Sequence, residues 1–253
     1  MKIGAQLYTL RDFAKTPADL AETLKKVADI GYTVVQLSGV CAYDAEWMKE
    51  QLAQNGLTCA LTHTNHDRIA EDTEAVIAEH RIIGSPVVGL GMAPHLSEPD
   101  FDYGAFVARY LPAALKIRDA GLLFAYHNHN DEFMTIDGIT IMEKLAADFP
   151  VDAMTFTLDT YWIQAGGADP AQWIRKFAGR AHNVHLKDMT IAHGREQRMA
   201  YVGGGNMNFP AILEACKDAG TEYVLVEQDD CYVENPFECM AKSYEYLKAQ
   251  GLK

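Results

Sequence analysis

The sequence predicts an α/β fold, a single-domain (β/α)8 barrel, and three observations predict it. Eight short apolar runs alternate with eight longer segments of helical period over 253 residues, close to the roughly 250 that such a barrel takes. No Pro/Ser-rich linker, charge block or low-complexity stretch divides the chain, so residues 1–253 read as one domain. The later apolar runs finish on titratable residues, and a barrel builds its site at the C-terminal ends of its strands. An open doubly wound sheet shares the alternation; the count of eight favours closure.

The strand candidates are 2–8, 33–37, 57–62, 86–91, 121–127, 154–159, 182–186 and 222–228. Each is short, apolar and rich in β-branched or aromatic residues. The helix candidates are 17–30, 43–54, 67–83, 102–120, 138–148, 170–177, 207–219 and 235–249. Several ends are explicit. Thr16-Pro17 and Asp169-Pro170 pair a capping side chain with a proline in the first turn. Asn208-Phe209-Pro210 is a weaker start of the same kind. Gly31, Gly56, Gly121 and Gly220 stand where helices should stop.

The composition narrows the function classes. Apolar residues make up 49% and charged residues 23%, enough for a large core. No apolar run approaches the roughly 20 residues that span a bilayer, so no membrane partner is expected. The opening MKIGAQLYTL lacks the apolar stretch of a secretory signal. A net charge of −13 repels phosphate backbones, which argues against nucleic acid. Five cysteines without CxxC spacing read as reduced thiols, and the expected location is the cytoplasm.

The strand ends carry the chemistry. In LLFAYHNHNDEF, His127 and His129 are two apart, so they share one strand face with Leu123 and Ala125. In MTFTLDT, Thr155, Thr157 and Asp159 share a face opposite Phe156 and Leu158. NVHLKD groups Asn183, His185 and Lys187, and YVLVEQD groups Leu225, Glu227 and Asp229. One face of each strand is apolar and can pack under helices; the other ends in His, Asp, His or Glu. One such strand is a salt bridge. Four in succession suggest a shared centre suited to one divalent cation, Mn, Zn, Co, Fe or Mg, without which Asp159 and Glu227 would repel across a buried site. A hydrogen-bonded polar core without metal is the plainer alternative.

The order YHNH…LDTYW…GGADP…VHLKD…VGGG…F…VEQD, with IGAQLYTLRD at the start and THT…DR at 62–68, resembles the xylose isomerase-like TIM barrels. That group includes sugar phosphate isomerases/epimerases, inosose dehydratase and endonuclease IV. The resemblance runs over nearly the whole chain. It implies four metal ligands, at His127, Asp159, His185 and Glu227. It also marks a departure: the related epimerases carry glutamate where His127 stands, and use that residue and the last-strand glutamate as their two bases. Glu132, five residues on, is a candidate to restore the carboxylate. Trp162 stands where relatives often have histidine. The places matching the further ligands of endonuclease IV hold Trp162, Gln197, Met199 and Gly89, so a trinuclear zinc cluster is not expected.

Further candidates surround this set. Lys187 shares the His185 face and is either an acid/base or a partner of an anion. Tyr8, Gln6 and Arg11, at the first strand end, are candidates to line the pocket, with His63, His129, Glu132 and Trp162 as substrate contacts. Arg195 and Arg198 lie on a segment expected over the barrel mouth, where they could clamp an anion, although solvated arginine is the default. VGGGNMNF could approach a ligand through its backbone or simply turn the chain. His66, His80, His95, His182 and His193 read as surface or structural residues. No GxSxG elbow, HExxH helix, Walker lysine or GxGxxG is present.

The expected function is a metal-dependent sugar isomerase or epimerase of carbohydrate metabolism, acting on a small keto sugar or polyol through an enediolate. Glu227 is the expected base, and His127, Glu132 or Lys187 would return or relay the proton. A lyase of the inosose dehydratase type is the alternative, and a sugar-binding barrel without catalysis comes third. The expected partner is a small carbohydrate, and a homo-oligomer is left open.

Overall fold

A computed structural model describes residues 1–252. Eight parallel strands close into a barrel: β1 (Lys2–Gln6), β2 (Val34–Leu37), β3 (Thr58–His63), β4 (Val87–Leu90), β5 (Leu123–His127), β6 (Met154–Asp159), β7 (Asn183–Leu186) and β8 (Tyr223–Val226). β1 pairs with both β2 and β8, so no edge is left open. The helices around it are α1 (Pro17–Ile30), α2 (Ala45–Gln54), α3 (His66–Glu71), α4 (Thr73–Ile83), α5 (Tyr103–Asp119), α6 (Ile141–Asp148), α7 (Thr160–Ala165), α8 (Pro170–Lys176), α9 (Phe209–Ala219) and α10 (Pro236–Ala249). The expected α/β barrel, in one domain, is what the chain forms.

The two faces of each strand separate as the alternation requires. Phe124, Tyr126, Phe156, Leu158, Val184 and Val224 point outward into the large core beneath the helices. Val34, Ala60, Leu61, Val87, Ala125 and Leu225 form a second, small cluster inside the barrel. Two residues beyond Ala125 and Leu225 on the same inward faces come His127 and Glu227. Register completes the ring: His127 pairs beside Thr157, Asp159 beside His185, and His185 beside Leu225. Small interior residues make room. A Cβ on Gly89 would lie 2.2 Å from the Thr62 carbonyl, and one on Gly4 would lie 2.4 Å from Leu225.

The helix ends follow the sequence signals closely. Thr16 and Asp19 form a reciprocal capping box ahead of Pro17, and Asp169 caps α8 ahead of Pro170. Gly31 and Gly220 close α1 and α9 in left-handed conformations, at φ of 119° and 75°.

Four details differ from expectation. The first strand stops at Gln6, because its side chain accepts the Tyr8 N–H at 2.6 Å and opens a 3-10 turn over Leu7–Phe13. The helix expected over 67–83 is two helices broken at Asp72, whose φ/ψ of −129°/38° is not helical. Thr73 Oγ1 donates to the Ile69 carbonyl at 2.8 Å across this break. α7 was not expected; at six residues it is too short for a helical period to show. Two antiparallel hairpins, Thr135–Ile136 with Ile139–Thr140 and Asp188–Ile191 with Gln197–Ala200, decorate the loops after β5 and β7.

Gly89→Ala tests the interior spacing. The obstruction is a backbone carbonyl, which cannot rotate away, so the substitution should lose about 1–3 kcal/mol or more. Urea denaturation of the variant reads it; a midpoint equal to that of wild type would mean the strands separate without cost.

Candidate metal centre

The four strand-end residues meet. His127, Asp159, His185 and Glu227 are all buried, and each offers one ligand atom within 4.8 Å of the other three. Asp159 is positioned by its own backbone. It caps α7, with Oδ1 accepting the Trp162 N–H at 3.0 Å, while its N–H donates to Asn128 Oδ1 at 3.0 Å. That leaves Oδ2 turned inward, 3.3 Å from His127 Nε2 and 3.7 Å from His185 Nδ1. Glu227 is held by Gln6, whose Nε2 donates to Oε1 at 2.8 Å; Oε2 faces inward, 2.9 Å from His185 Nδ1.

The second ring nitrogens identify the tautomers. His127 Nδ1 lies 2.8 Å from the Gly91 carbonyl, and His185 Nε2 lies 2.6 Å from Gln36 Oε1. Each acceptor faces a nitrogen that must carry a proton to bond it. The inward nitrogens, His127 Nε2 and His185 Nδ1, face the two carboxylates; burial works against a charge on His185, but Glu227 and Asp159 outweigh it, and a cation bound there would take the lone pairs of both nitrogens in place of protons. His185 Nδ1 and Glu227 Oε2 make no aligned hydrogen bond among the described residues despite burial. Two imidazole lone pairs and two carboxylate oxygens converging in a buried space are the donor set of a borderline or hard divalent cation. The residues therefore fit the group that the sequence suggested.

Lys187 enters the same space. Its ammonium is 3.1 Å from Asp159 Oδ2, 3.0 Å from Glu227 Oε2 and 2.9 Å from Asp229 Oδ2. Burial disfavours the charges of Asp159 and Glu227, but Lys187 and the neighbouring histidines outweigh it and hold both carboxyls well below the usual range. Burial alone would discharge Lys187; Asp159, Glu227 and Asp229 instead raise it. Burial, with Glu227 nearby, pushes Asp229 up to about 7. The other histidines stay neutral. Burial and the facing His127 bring His129 down to about 3, and burial lowers His63 well below its ordinary value.

A cavity of about 470 Å³ opens above the centre, and Tyr8, His63, His129, Trp162, Lys187 and Glu227 line it. Three of its walls present buried polar atoms with no partner among the described residues: His63 Nε2, His129 Nδ1 and Trp162 Nε1. Such atoms cost free energy unless something bonds them, and a polyhydroxylated molecule supplies many partners.

Two sequence candidates stand elsewhere. Glu132 does not line the cavity. It is fully buried beneath β5, where Oε1 accepts the Tyr126 hydroxyl at 2.6 Å and Oε2 accepts the His129 N–H at 2.7 Å. It therefore shapes the His129 loop and does not restore the missing carboxylate at the centre. Arg198 lies on the outer hairpin, 2.7 Å from Glu196 and stacked on Tyr232, away from the cavity wall. Conversely, His66 does line the cavity, although its place in the sequence suggested a surface residue. Sequence reasoning also missed Gln36 and the Gly91 carbonyl. Gln36 was legible only as a polar residue inside an apolar strand, and a carbonyl leaves no trace in sequence.

Comparison with known proteins places the chain. Residues 24–250 match the family model of the xylose isomerase-like TIM barrel. An inosose dehydratase of Clostridium beijerinckii is 26% identical over 147 residues, covering 51% of this chain and 48% of the relative, so the chain spans about half the length of that relative. An inosose dehydratase of Clostridium perfringens is 21% identical over 212 residues, covering 70% of this chain and 71% of that one. A sugar phosphate isomerase/epimerase of Parabacteroides distasonis superposes with a TM-score of 0.80 at 23% identity, over 98% of this chain and 93% of that one.

The Glu132 environment yields a pH prediction. Burial raises its carboxyl to about 7 from 4.5. The fold thus favours the protonated form, so this stabilisation is complete below the unfolded value and is lost as pH rises through about 7. Glutamine can accept the His129 N–H on its oxygen and donate its amide N–H to the Tyr126 hydroxyl oxygen without a charge. Between about pH 5 and pH 8, wild type should lose about 2.5 kcal/mol relative to Glu132→Gln. Parallel stability curves across that range would show that Glu132 ionises without cost.

Proposed function

The chain belongs to the xylose isomerase-like TIM barrel family, and we propose that it is a divalent-metal-dependent enzyme that isomerises a small carbohydrate by moving a proton next to a carbonyl. The supporting observation is the orientation of the two histidines, each of which turns one ring nitrogen to an acceptor, the Gly91 carbonyl or Gln36 Oε1, and the other toward Asp159 and Glu227.

His127, Asp159, His185 and Glu227 would hold the cation, which when bound polarises the carbonyl of the substrate and favours negative charge on its oxygen. The remaining work falls to the chain itself. Glu227 is kept ionised, with Gln6 fixing one oxygen and leaving Oε2 turned to the centre, so it can take the proton from the carbon beside the carbonyl. The Lys187 ammonium, 3.0 Å away, compensates the charge that leaves the carboxylate for the substrate and can donate to the resulting oxyanion. His63, His129 and Trp162 offer their unpartnered nitrogens to substrate hydroxyls. Glu227 can then return the proton to the adjacent carbon on the same face. One base suffices for this transfer, whereas inversion at a carbon needs a second base on the opposite face. His127, with its ring fixed by the Gly91 carbonyl, and His129, which burial and His127 bring down to about 3 and so make a weak base, are poor substitutes for that second base.

A lyase is the second reading, and the same asymmetry favours it. After proton removal by Glu227, Lys187 could protonate a departing β-hydroxyl. The two Clostridium relatives are named inosose dehydratases.

Metal content tests the ligand set. Asp159→Asn and His185→Ala should each lose bound metal with the fold intact, and Gln36→Ala should weaken metal affinity by roughly 10–100-fold, the usual scale for a partner that orients a ligand. Elemental analysis after dialysis against each divalent cation reads all three. Wild type that retains none of them would remove the reading.

The reaction is tested in D₂O with a panel of ketoses, aldoses and inososes. An isomerase gives a product of equal formula carrying deuterium; a lyase gives one lighter by a water. Glu227→Gln should slow either by at least ~100-fold. Absence of both exchange and elimination across the panel would leave only a sugar-binding barrel.

A further inference from the structure

Lys187 puts a full positive charge into the space where the four strand-end residues meet. Its side chain is 1% exposed and ends a flexible four-carbon stem. The root of that stem is fixed. The Lys187 N–H donates to Thr160 Oγ1 at 2.9 Å, and the Thr160 hydroxyl donates to the Lys187 carbonyl at 2.9 Å. The head can still swing, because the stem turns about several single bonds.

The ammonium meets two kinds of oxygen. It donates to Asp229 as a fork, at 3.1 Å to Oδ1 and 2.9 Å to Oδ2. It also lies 3.1 Å from Asp159 Oδ2 and 3.0 Å from Glu227 Oε2. These last two are ion-pair contacts: Glu227 Oε2 has no aligned hydrogen bond among the described residues. They are also the oxygens that face the histidine nitrogens, the carboxylate half of the donor set. The chain's own cation thus touches the atoms that a metal ion would need.

A divalent cation takes such oxygens at about 2.0–2.2 Å. An ammonium against the same two atoms would face it at close range, where like charges in a partly desolvated site repel strongly. The charges balance in another arrangement. Asp159, Glu227 and Asp229 carry three negative charges when ionised, and a divalent cation with one ammonium offsets all three. Asp229 already accepts the ammonium on both oxygens. It lies toward the cavity, with its side chain 23% exposed against 0% and 4% for those of Asp159 and Glu227. The Trp162 ring, 5.5 Å from the Lys187 Nζ, adds a face that favours a cation.

We propose that Lys187 competes with the divalent cation for Asp159 Oδ2 and Glu227 Oε2, and that Asp229 is the carboxylate onto which its ammonium withdraws when the cation binds. The inference rests on the metal dependence proposed above. Lys187 offsets the two buried carboxylates when no metal is bound, and so sets how tightly the centre takes its metal. Asp229 is a positioning residue that acts through Lys187.

The test is a double-mutant cycle read by Mn²⁺ affinity and by thermal unfolding with and without Mn²⁺. Wild type, Lys187→Met, Asp229→Asn and the double variant are each dialysed against a chelator first. Lys187→Met should unfold at a lower temperature than wild type without metal and gain more from saturating Mn²⁺. It should also bind Mn²⁺ at least ~10-fold more tightly, because a like charge at close range is gone. Asp229→Asn should weaken Mn²⁺ binding by roughly 10–100-fold, the scale of a partner outside the ligand set. In the Lys187→Met background the same change should cost less than about 3-fold, since the ammonium it would hold is absent. An equal loss in both backgrounds overturns the proposal, because Asp229 then acts on the metal directly. Mn²⁺ affinity of Lys187→Met no tighter than that of wild type also overturns it, because metal and ammonium then keep separate places. If Lys187→Met folds under neither condition, Asp229→Asn decides: weaker Mn²⁺ binding supports the proposal, and unchanged or tighter binding overturns it. Mn²⁺ binding by none of the proteins removes the metal dependence and this inference with it, whereas equal affinity in all of them removes this inference alone.

Discussion

Two buried carboxylates facing the same point are the constraint on which this structure turns. Asp159 and Glu227 are taken out of water at the end of a barrel whose interior below them is apolar. An isolated carboxylate there would protonate before it would tolerate the loss of solvation. The chain answers with one fixed cation and with restraint on every other group. Lys187 lies against both carboxylates, and Gln6, Asn128 and the start of α7 take up the bonds that do not point inward. Two ring nitrogens and two carboxylate oxygens still converge on one space, with a single ammonium shared between the oxygens. A second positive charge is the simplest way to satisfy them together.

The strand geometry is what makes this concentration feasible. In a closed parallel barrel each interior face advances by two residues per layer, so the residue two beyond an interior alanine or leucine arrives in the same ring as its neighbours' equivalents. Ala125 leads to His127, Leu225 to Glu227, Thr157 to Asp159 and Asn183 to His185. No loop has to be ordered to bring the ligands together. The loops carry further parts of their own, including the His129 turn held by Glu132 and the glycine loop held by Asp188.

Much of this was legible in the sequence, and what was missed has physical reasons. Alternation of apolar runs exposed all eight strands, and the strand-end residues exposed the ring, because period-two patterning reports which side chains share a face. Spacing does not report how far a chain has turned after its strand ends. Glu132 lies five residues beyond His127, which suggested a carboxylate near the metal. A 3-10 turn at Asp131–Phe133 sends it back under β5 to Tyr126. Arg198 failed for a similar reason, since the segment read as a loop over the mouth is a hairpin that pairs the arginine with its own Glu196. Partners that fix tautomers, such as Gln36 and the Gly91 carbonyl, come from strands far apart in sequence and had no local signal.

The asymmetry of the ring bears most directly on chemistry. A pair of glutamates at β5 and β8 would offer one base to each face of a bound sugar. With His127 at β5, one ring nitrogen lies against the Gly91 carbonyl and the other against Asp159, and the remaining group on that side is His129, whose ring burial makes a weak base. The β8 side has Glu227 and, touching it, a lysine kept charged by three carboxylates. Base and acid thus stand on the same side of the cavity. Under the proposed reading, a proton lifted by Glu227 would be returned there, or be followed out by a hydroxyl that Lys187 protonates. In that reading, transfer between adjacent carbons and loss of water need only this placement, whereas inversion of a single carbon would call for a second base on the β5 side. The distinction between the first two then rests on whether the carbon next to the carbanion carries a hydroxyl within reach of Lys187, a property of the substrate that the cavity admits.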